Sequence, residues 1–208
     1  RDRPFRGAMT LAVTATDTDH QVFTVHETIP LQHAGDVVLL YPQWETGSHA
    51  PTASAIELAG LVVHIDGRRT TWHRDPLNSH AFDIVVPNGA QAIALDFQFL
   101  APHRAALLRA NMVDVEWQRL LLYPAGWYVR DIPVQASVVF AAGMRAFSAL
   151  EIAHQDGSRV AFARVTLDKL VDAPVYAGRY WRQFRLLPKR VAPVRLDVLA
   201  DAPSQLAI

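Results

Sequence analysis

Apolar and polar residues alternate one for one along most of this chain, and that period of two is the strongest constraint on its fold. Met9, Leu11, Val13 and Ala15 alternate with Thr10, Ala12, Thr14 and Thr16. Phe23, Val25, Ile29 and Leu31 share one parity in the next run, broken by Glu27. Successive strand side chains point to opposite faces, so such alternation marks half-buried strands. Val62 to Ile65, Asp66-Gly67 and Arg68 to His73 form the clearest hairpin signal, because Asp-Gly suits a type I′ turn with φ > 0 at both central residues. A second hairpin is expected from Phe82, Ile84 and Val86 through Pro87-Asn88-Gly89 to Ile93, Leu95, Phe97 and Phe99. A third is expected from Phe147 to His154, turning at Gln155 to Ser158 and returning as Arg159 to Val165. Arg119 to Tyr123, Val134 to Phe140, Tyr180 to Leu186 and Val194 to Val198 read as further strands.

Helix signals are few. Ala101 to Met112 and Thr166 to Val171 are each long enough for a turn or two, with Thr166 a candidate cap. No repeat, low-complexity run or linker interrupts the pattern, and the 13 prolines are spread among the turns. The expectation is an all-β fold, an antiparallel β-sandwich or saddle with at most short helical turns, as one domain over residues 1–208. A chain of this size buries roughly 70% of its unfolded surface and needs no covalent staples.

Composition removes several function classes. Lys plus Arg equals Asp plus Glu, so formal net charge is zero, which argues against nucleic-acid binding. There are no cysteines, hence no disulfides, thiolate metal sites or Cys nucleophiles in this chain. No apolar run approaches the ~20 residues of a membrane-spanning helix. The chain opens Arg1-Asp2-Arg3-Pro4 without an initiator Met, which reads as a processed or excised piece.

Catalytic patterns are also wanting. The nine histidines include no H-x-H pair, and His64, His73 and His80 cluster only loosely around one hairpin. A zinc site needs three or four converging ligands. His26-Glu27-Thr28-Ile29-Pro30 begins like the zinc-peptidase run H-E-x-x-H, but Pro30 stands where the second His belongs, and the segment has strand periodicity. No G-x-S-x-G elbow or Gly-rich phosphate loop occurs. Asp114 and Glu116 lie two apart on one strand face, where a solvated face is the simpler reading. No catalytic residue and no metal ligand is assigned.

The most unusual loop is Leu39 to Pro51, LLYPQWETGSHAP. A strand-like run stops at Pro42, which cannot donate to a sheet ladder. Trp44 then sits among Gln43, Glu45 and Thr46, ahead of a Gly47-Ser48 turn and His49. Loops are mostly polar and solvated, so a Trp and a His here suggest either a lid in which Trp44 folds back over the core or a surface that meets a partner or substrate, with Gln43, Trp44, Glu45 and His49 as its candidates. A second unusual segment surrounds Asp172. Pro174 pushes Ala173 toward extended geometry, and Asp172 is positioned to accept backbone N–H groups and fix the bend.

Three stretches read together carry a family resemblance. YPQWETGSH, Tyr41 to His49, resembles the P-x-W-x-P-G-S-Y loop of the glycyl aminopeptidase family, family sixty-one of the zinc metallopeptidases. LVDAPVYAG, Leu170 to Gly178, is similar to that family's L-V-D-S-P signature. LLLYPAGW, Leu120 to Trp127, resembles the region before its P-x-G-W. Order and spacing agree over roughly Thr10 to Leu187. The resemblance implies the N-terminal β domain of such an enzyme, ahead of a thermolysin-like catalytic domain that holds the zinc and, usually, a PDZ domain. It implies no cofactor in this piece, the parent's catalytic domain as partner, peptide substrate met only indirectly, and export to a compartment such as the periplasm. Thr46 replaces the family's loop Pro and His49 its Tyr, which frees φ before Gly47 and introduces a titratable imidazole.

Two functions are therefore expected. The first is a non-catalytic accessory domain that braces the catalytic domain and walls one side of its substrate cleft. The alternative is an independent β-sandwich module gripping a peptide or carbohydrate with Trp44, Trp72, Trp117 and Trp127.

Overall fold

The computed structural model describes residues 4–44, 50–101, 108–186 and 194–207. The chain begins with strands β1 Met9–Asp17, β2 Val22–Pro30, β3 Gly35–Leu40, β4 Leu58–Ile65, β5 Arg68–Thr70 and β6 Trp72–Arg74. It continues with β7 Ala81–Val86, β8 Ala92–Leu100, β9 Met112–Val115, β10 Tyr123–Pro124, β11 Pro133–Phe140 and β12 Arg145–Phe147. The last third holds β13 Ile152–Asp156, β14 Arg159–Phe162, β15 Val165–Thr166, helix α1 Leu167–Val171, β16 Val175–Gly178, β17 Tyr180–Arg185 and β18 Arg195–Ala200. The all-β expectation holds, and helix is confined to short pieces. No helix among the described residues is long and apolar enough to cross a membrane.

A nine-stranded sheet runs β13-β14-β11-β1-β2-β8-β4-β5, with β15 also paired to β11. A four-stranded sheet runs β10-β3-β7-β6, a three-stranded one β12-β16-β9, and β17-β18 form a ribbon. Alternation does what it should. Met9, Leu11, Val13 and Ala15 of β1 are buried, as are Phe23, Val25 and Ile29 of β2 and Ile93, Leu95, Phe97 and Phe99 of β8. They join Leu39, Phe82 and Ile84 of the four-stranded sheet in one apolar cluster. Glu27 does not leave the pattern but follows it inward, opposite Leu11 and Leu95, and is completely buried.

The Asp66-Gly67 turn forms as expected, with φ of 51° and 75° at the two residues and Ile65 opposite Arg68. Its return strand stops at Thr70, and β6 crosses to the four-stranded sheet, where Trp72 packs on Phe82. The second expected hairpin is corrected. The turn at Pro87 is made, Ala90 N–H donating to the Pro87 carbonyl at 3.4 Å, but β7 pairs with β3 and β6 while β8 pairs with β2 and β4. Two amphipathic strands joined by a turn can pair side by side or face each other across a core. Here the apolar faces meet across it. The third hairpin is shorter than expected, β13 with β14, because Phe147 belongs to β12 and pairs with Tyr176.

Other corrections are local. Residues 117–119 are a turn of 3-10 helix, and only Tyr123–Pro124 pairs as strand. Most of the expected helix at 101–112 lies outside the described residues; within them, Leu108 bridges to Val113 and Met112 begins β9. Thr166 occupies the N-cap of α1, but its hydroxyl donates to the Asp168 carboxylate instead of accepting a backbone N–H. One pairing departs from the antiparallel rule: β1 and β11 run parallel, from Met9 opposite Val134 to Ala15 opposite Phe140.

Candidate functional site

The Gln43–His49 loop leaves the end of β3 on a stem that is held from several sides. Tyr41 stacks on His80 with centroids 6.0 Å apart, and its hydroxyl donates to the Arg119 carbonyl at 3.0 Å. Gln43 Nε2 donates to Asn78 Oδ1 at 3.1 Å, and its carbonyl accepts from Ala53 N–H at 3.0 Å. His80 reaches the Ala53 carbonyl through Nε2 at 3.0 Å, so the 75–80 turn clasps both sides of the loop. The Asp75 carboxylate shapes that turn by accepting from Leu77 and Asn78 N–H groups. On this stem Trp44 stands 62% exposed. Glu45 and His49 lie outside the described residues.

The LLLYPAGW stretch is a stitch between sheets. Leu120, Leu121 and Leu122 are buried, and Leu122 N–H donates to Glu27 Oε2 at 3.0 Å. Tyr123 and Pro124 then pair with Leu40 and Leu39 of β3. Gly126 adopts φ +84°, and Trp127 meets Phe5 edge-on at 5.4 Å. Burial pushes the Glu27 carboxyl well above its usual range, and the Leu122 N–H opposes this only in part. A carboxyl in the core is thus held by one backbone donor, and Oε1 has no hydrogen-bond partner among the described residues.

The LVDAP stretch is tied differently from the sequence expectation. Leu167 and Leu170 of α1 are buried, and Asp172 closes the helix through its own N–H to the Asp168 carbonyl. The Asp172 side chain is exposed and meets no hydrogen-bond partner among the described residues, so it is not what fixes the bend. Its neighbours' carbonyls are held instead. Ala173 O accepts from Trp117 Nε1 at 3.0 Å, and Pro174 O accepts from Ser148 Oγ at 2.9 Å. No local pattern advertises either donor, since Trp117 and Ser148 are remote in sequence. Beyond the bend, a groove of about 900 Å³ opens between Phe147, Pro174 and Tyr176 on one side and Gln183 and Asp197 of the ribbon on the other.

Asp114 and Glu116 sit between these two segments, half-buried rather than on a solvated face. Asp114 lies opposite Tyr176 across the β9–β16 ladder. Burial, then the Glu116 charge, push its carboxyl up to about 6, against the pull of Arg119, which pairs with Glu116. Burial, then Asp114 and Glu116, raise Tyr176 as well. Since Arg119 also receives the Tyr41 hydroxyl, one continuous strip of chain links the Trp44 stem to the LVDAP bend.

The His26-Glu27 pair does not form a ligand set. His26 and Glu27 alternate across β2, so His26 faces solvent while Glu27 is in the core, and the two cannot share an ion. His26 Nδ1 instead lies 2.8 Å from Asp96 Oδ1 on the outer sheet face. Among the described residues no three His, Asp or Glu side chains converge as metal ligands. The four tryptophans expected of an independent binding module are not brought together either. Trp117 is fully buried, Trp72 is half-buried with its Nε1 on the Leu61 carbonyl, Trp127 packs on Phe5, and Trp44 alone of the four is exposed.

Comparison with known proteins places this fold in a family. The family profile described as Peptidase M61 N-terminal domain matches residues 10–179. No curated protein matches. Among solved structures, an aminopeptidase N family protein from Idiomarina loihiensis superposes with a TM-score of 0.78 at 16% identity, covering 92% of this chain and 32% of that one. An M1 zinc metallopeptidase from Deinococcus radiodurans gives 0.52 at 12% identity, covering 99% of this chain and 51% of its own. Native yeast LTA4 hydrolase gives 0.50 at 10% identity, covering 88% and 30%. At such identities the likeness speaks for the fold alone. This chain spans about a third to a half of those solved chains.

Proposed function

This chain belongs to the Peptidase M61 N-terminal domain family, and on that premise we propose that residues 1–208 are one non-catalytic accessory domain of a zinc aminopeptidase. It braces the catalytic domain and forms one wall of the substrate cleft. Zinc and the reacting groups belong to that catalytic domain, and peptide substrate meets this chain only along the wall. The observation that carries the reading is Trp44, left 62% exposed on a stem that hydrogen bonds hold in place. A large aromatic kept wet costs roughly 25 cal/mol per Å² of apolar surface, and a covering partner recovers it. In sequence, Gln43, Glu45 and His49 set polar residues around that anchor, the composition of an interface rim.

Trp44→Ala tests this in two settings. In the isolated chain it is expected to cost under ~1 kcal/mol, as for a surface substitution. In the full-length parent it is expected to lower domain docking or peptide turnover by roughly tenfold, the scale of an interface anchor. A loss of several kcal/mol in the isolated chain, or an unaffected parent, would oppose the proposal.

A further inference from the structure

Two charges of opposite sign, the Asp172 carboxylate and the Arg185 guanidinium, line the same groove from facing walls. This is the groove beyond the LVDAP bend, about 900 Å³, within the roughly 300–1,000 Å³ of small-ligand sites. One wall is the bend, with Asp172, Pro174 and Tyr176. The other is the inward face of the β17–β18 ribbon, where Arg185 lies opposite Arg195. Like charges set opposite each other on paired strands repel. Asp197 offsets only one of them. Its Oδ2 accepts from Arg195 at 2.9 Å and its Oδ1 from Gln183 at 2.7 Å, so both oxygens are engaged. The Arg185 guanidinium and the Asp172 carboxylate are each left without a hydrogen bond or ion pair among the described residues.

Both walls are held in place from behind. Ser148 Oγ donates to the Pro174 carbonyl at 2.9 Å and accepts from Leu150 N–H at 3.1 Å. At the base of the ribbon Trp181 packs on Phe147 with centroids 5.6 Å apart, beneath the Arg145 guanidinium at 4.2 Å. Leu199 lies over Gly178, where a Cβ would come within 2.5 Å of its Cδ2. Asn111 donates to the Asp201 carbonyl at 2.9 Å. Between the two charges, Pro174 and the 44% exposed Tyr176 offer a short apolar surface. Fixed walls with an apolar strip and a few convergent polar groups suit a small ligand of matching charge, because little ordering is left to be done on binding.

We infer that this groove binds the carboxyl end of a short peptide. Its terminal carboxylate pairs with Arg185 and Arg195, its last side chain lies on Pro174 and Tyr176, and its N–H donors turn to Asp172. A guanidinium takes a carboxylate through two parallel N–H···O bonds, and such charge-assisted bonds are the strong ones. The two arginines share one carboxylate partner, Asp197, and a second relieves their repulsion. Asp172 selects a peptide over inorganic phosphate. Phosphate would bring more negative charge against it and few donors, whereas a peptide supplies N–H groups at a distance from its own carboxylate. That this peptide is the substrate rests on the cleft-wall reading above. On that reading the catalytic domain works at the amino end while this groove holds the trailing carboxyl end.

Calorimetric titration of the 208-residue chain with the tripeptide Ala-Ala-Phe and with its carboxyl-terminal amide tests the inference. The free acid is expected to bind about tenfold more tightly than the amide, the scale of one hydrogen-bonded charge. Arg185→Gln is expected to abolish that difference, and Asp172→Asn to weaken both peptides. Neither side chain is tied to the fold, so both variants should keep the wild-type unfolding midpoint. Equal affinity for acid and amide would overturn the inference. So would displacement of the tripeptide by an equal concentration of inorganic phosphate, which would leave a general anion site. In the full-length parent, Arg185→Gln is expected to raise KM for the free acid about tenfold with kcat unchanged, the mark of lost uniform binding. If the isolated chain does not discriminate, this inference alone fails, and Trp44→Ala still decides the accessory-domain reading. If the chain discriminates but KM in the parent does not move, the groove stands as a peptide site and the cleft-wall reading fails.

Discussion

Glu27 is the residue whose chemistry departs furthest from its sequence context. Sequence marked it as a break in a strand pattern. The structure sets it in that pattern, buried between Leu11 and Leu95, because Leu122 N–H needs an acceptor where the LLLYPAGW stretch crosses the core. Burial raises its pKa above the unfolded value, so the folded state holds the proton more tightly. That contribution to stability is complete below the unfolded pKa and is lost as pH rises through the folded one. Asp114, pushed up to about 6, acts with the same sign, so a variant comparison is needed to isolate Glu27. As pH rises above the ordinary carboxylate range, the denaturant midpoint of the wild type should therefore fall more than that of Glu27→Gln, which keeps the shape and an acceptor without the charge. Parallel pH profiles would show that Glu27 does not ionise over this range. Glu27→Ala should cost about 1–3 kcal/mol by leaving the Leu122 donor unpaired, before any cavity term.

At the scale of elements, what sequence reveals depends on how local the deciding contact is. The Asp66-Gly67 turn was legible to the residue, because a type I′ turn is fixed by two adjacent φ angles. Gly67→Ala should cost about 1–2 kcal/mol, the price of a left-handed L-residue, as read from denaturant midpoints. The turn at Pro87 was legible, but not the sheets on either side of it. In-plane and cross-core arrangements bury the same alternating residues, and the choice is made by β3 and β2, far away in sequence. The parallel β1–β11 pair was hidden for the same reason. The LVDAP bend shows a third case: its motif was visible, while its ties, Trp117 and Ser148, were not. Ser148→Ala should thus cost about 1–2 kcal/mol through the lost bond to the Pro174 carbonyl, whereas Asp172→Ala should stay within about 0.5 kcal/mol. A larger loss at Asp172 than at Ser148 would reverse that assignment of roles.

On the scale of the whole molecule, period-two patterning was enough to give an all-β fold, and three ordered motifs were enough to give the family. The candidate surface was legible only in part. Trp44 was identifiable because a Trp in a polar Pro- and Gly-bounded loop is chemically out of place. Trp44 supports the central proposal, that this chain braces a catalytic body and does not itself cleave peptides. Aminopeptidase turnover measures that claim most directly, compared among the isolated chain, the catalytic portion alone, and the intact parent. The expected result is no turnover from the isolated chain, impaired turnover from the catalytic portion alone, and full turnover only when both are present. Peptide cleavage by the 208-residue chain, or a catalytic portion that is fully active without it, would contradict the account.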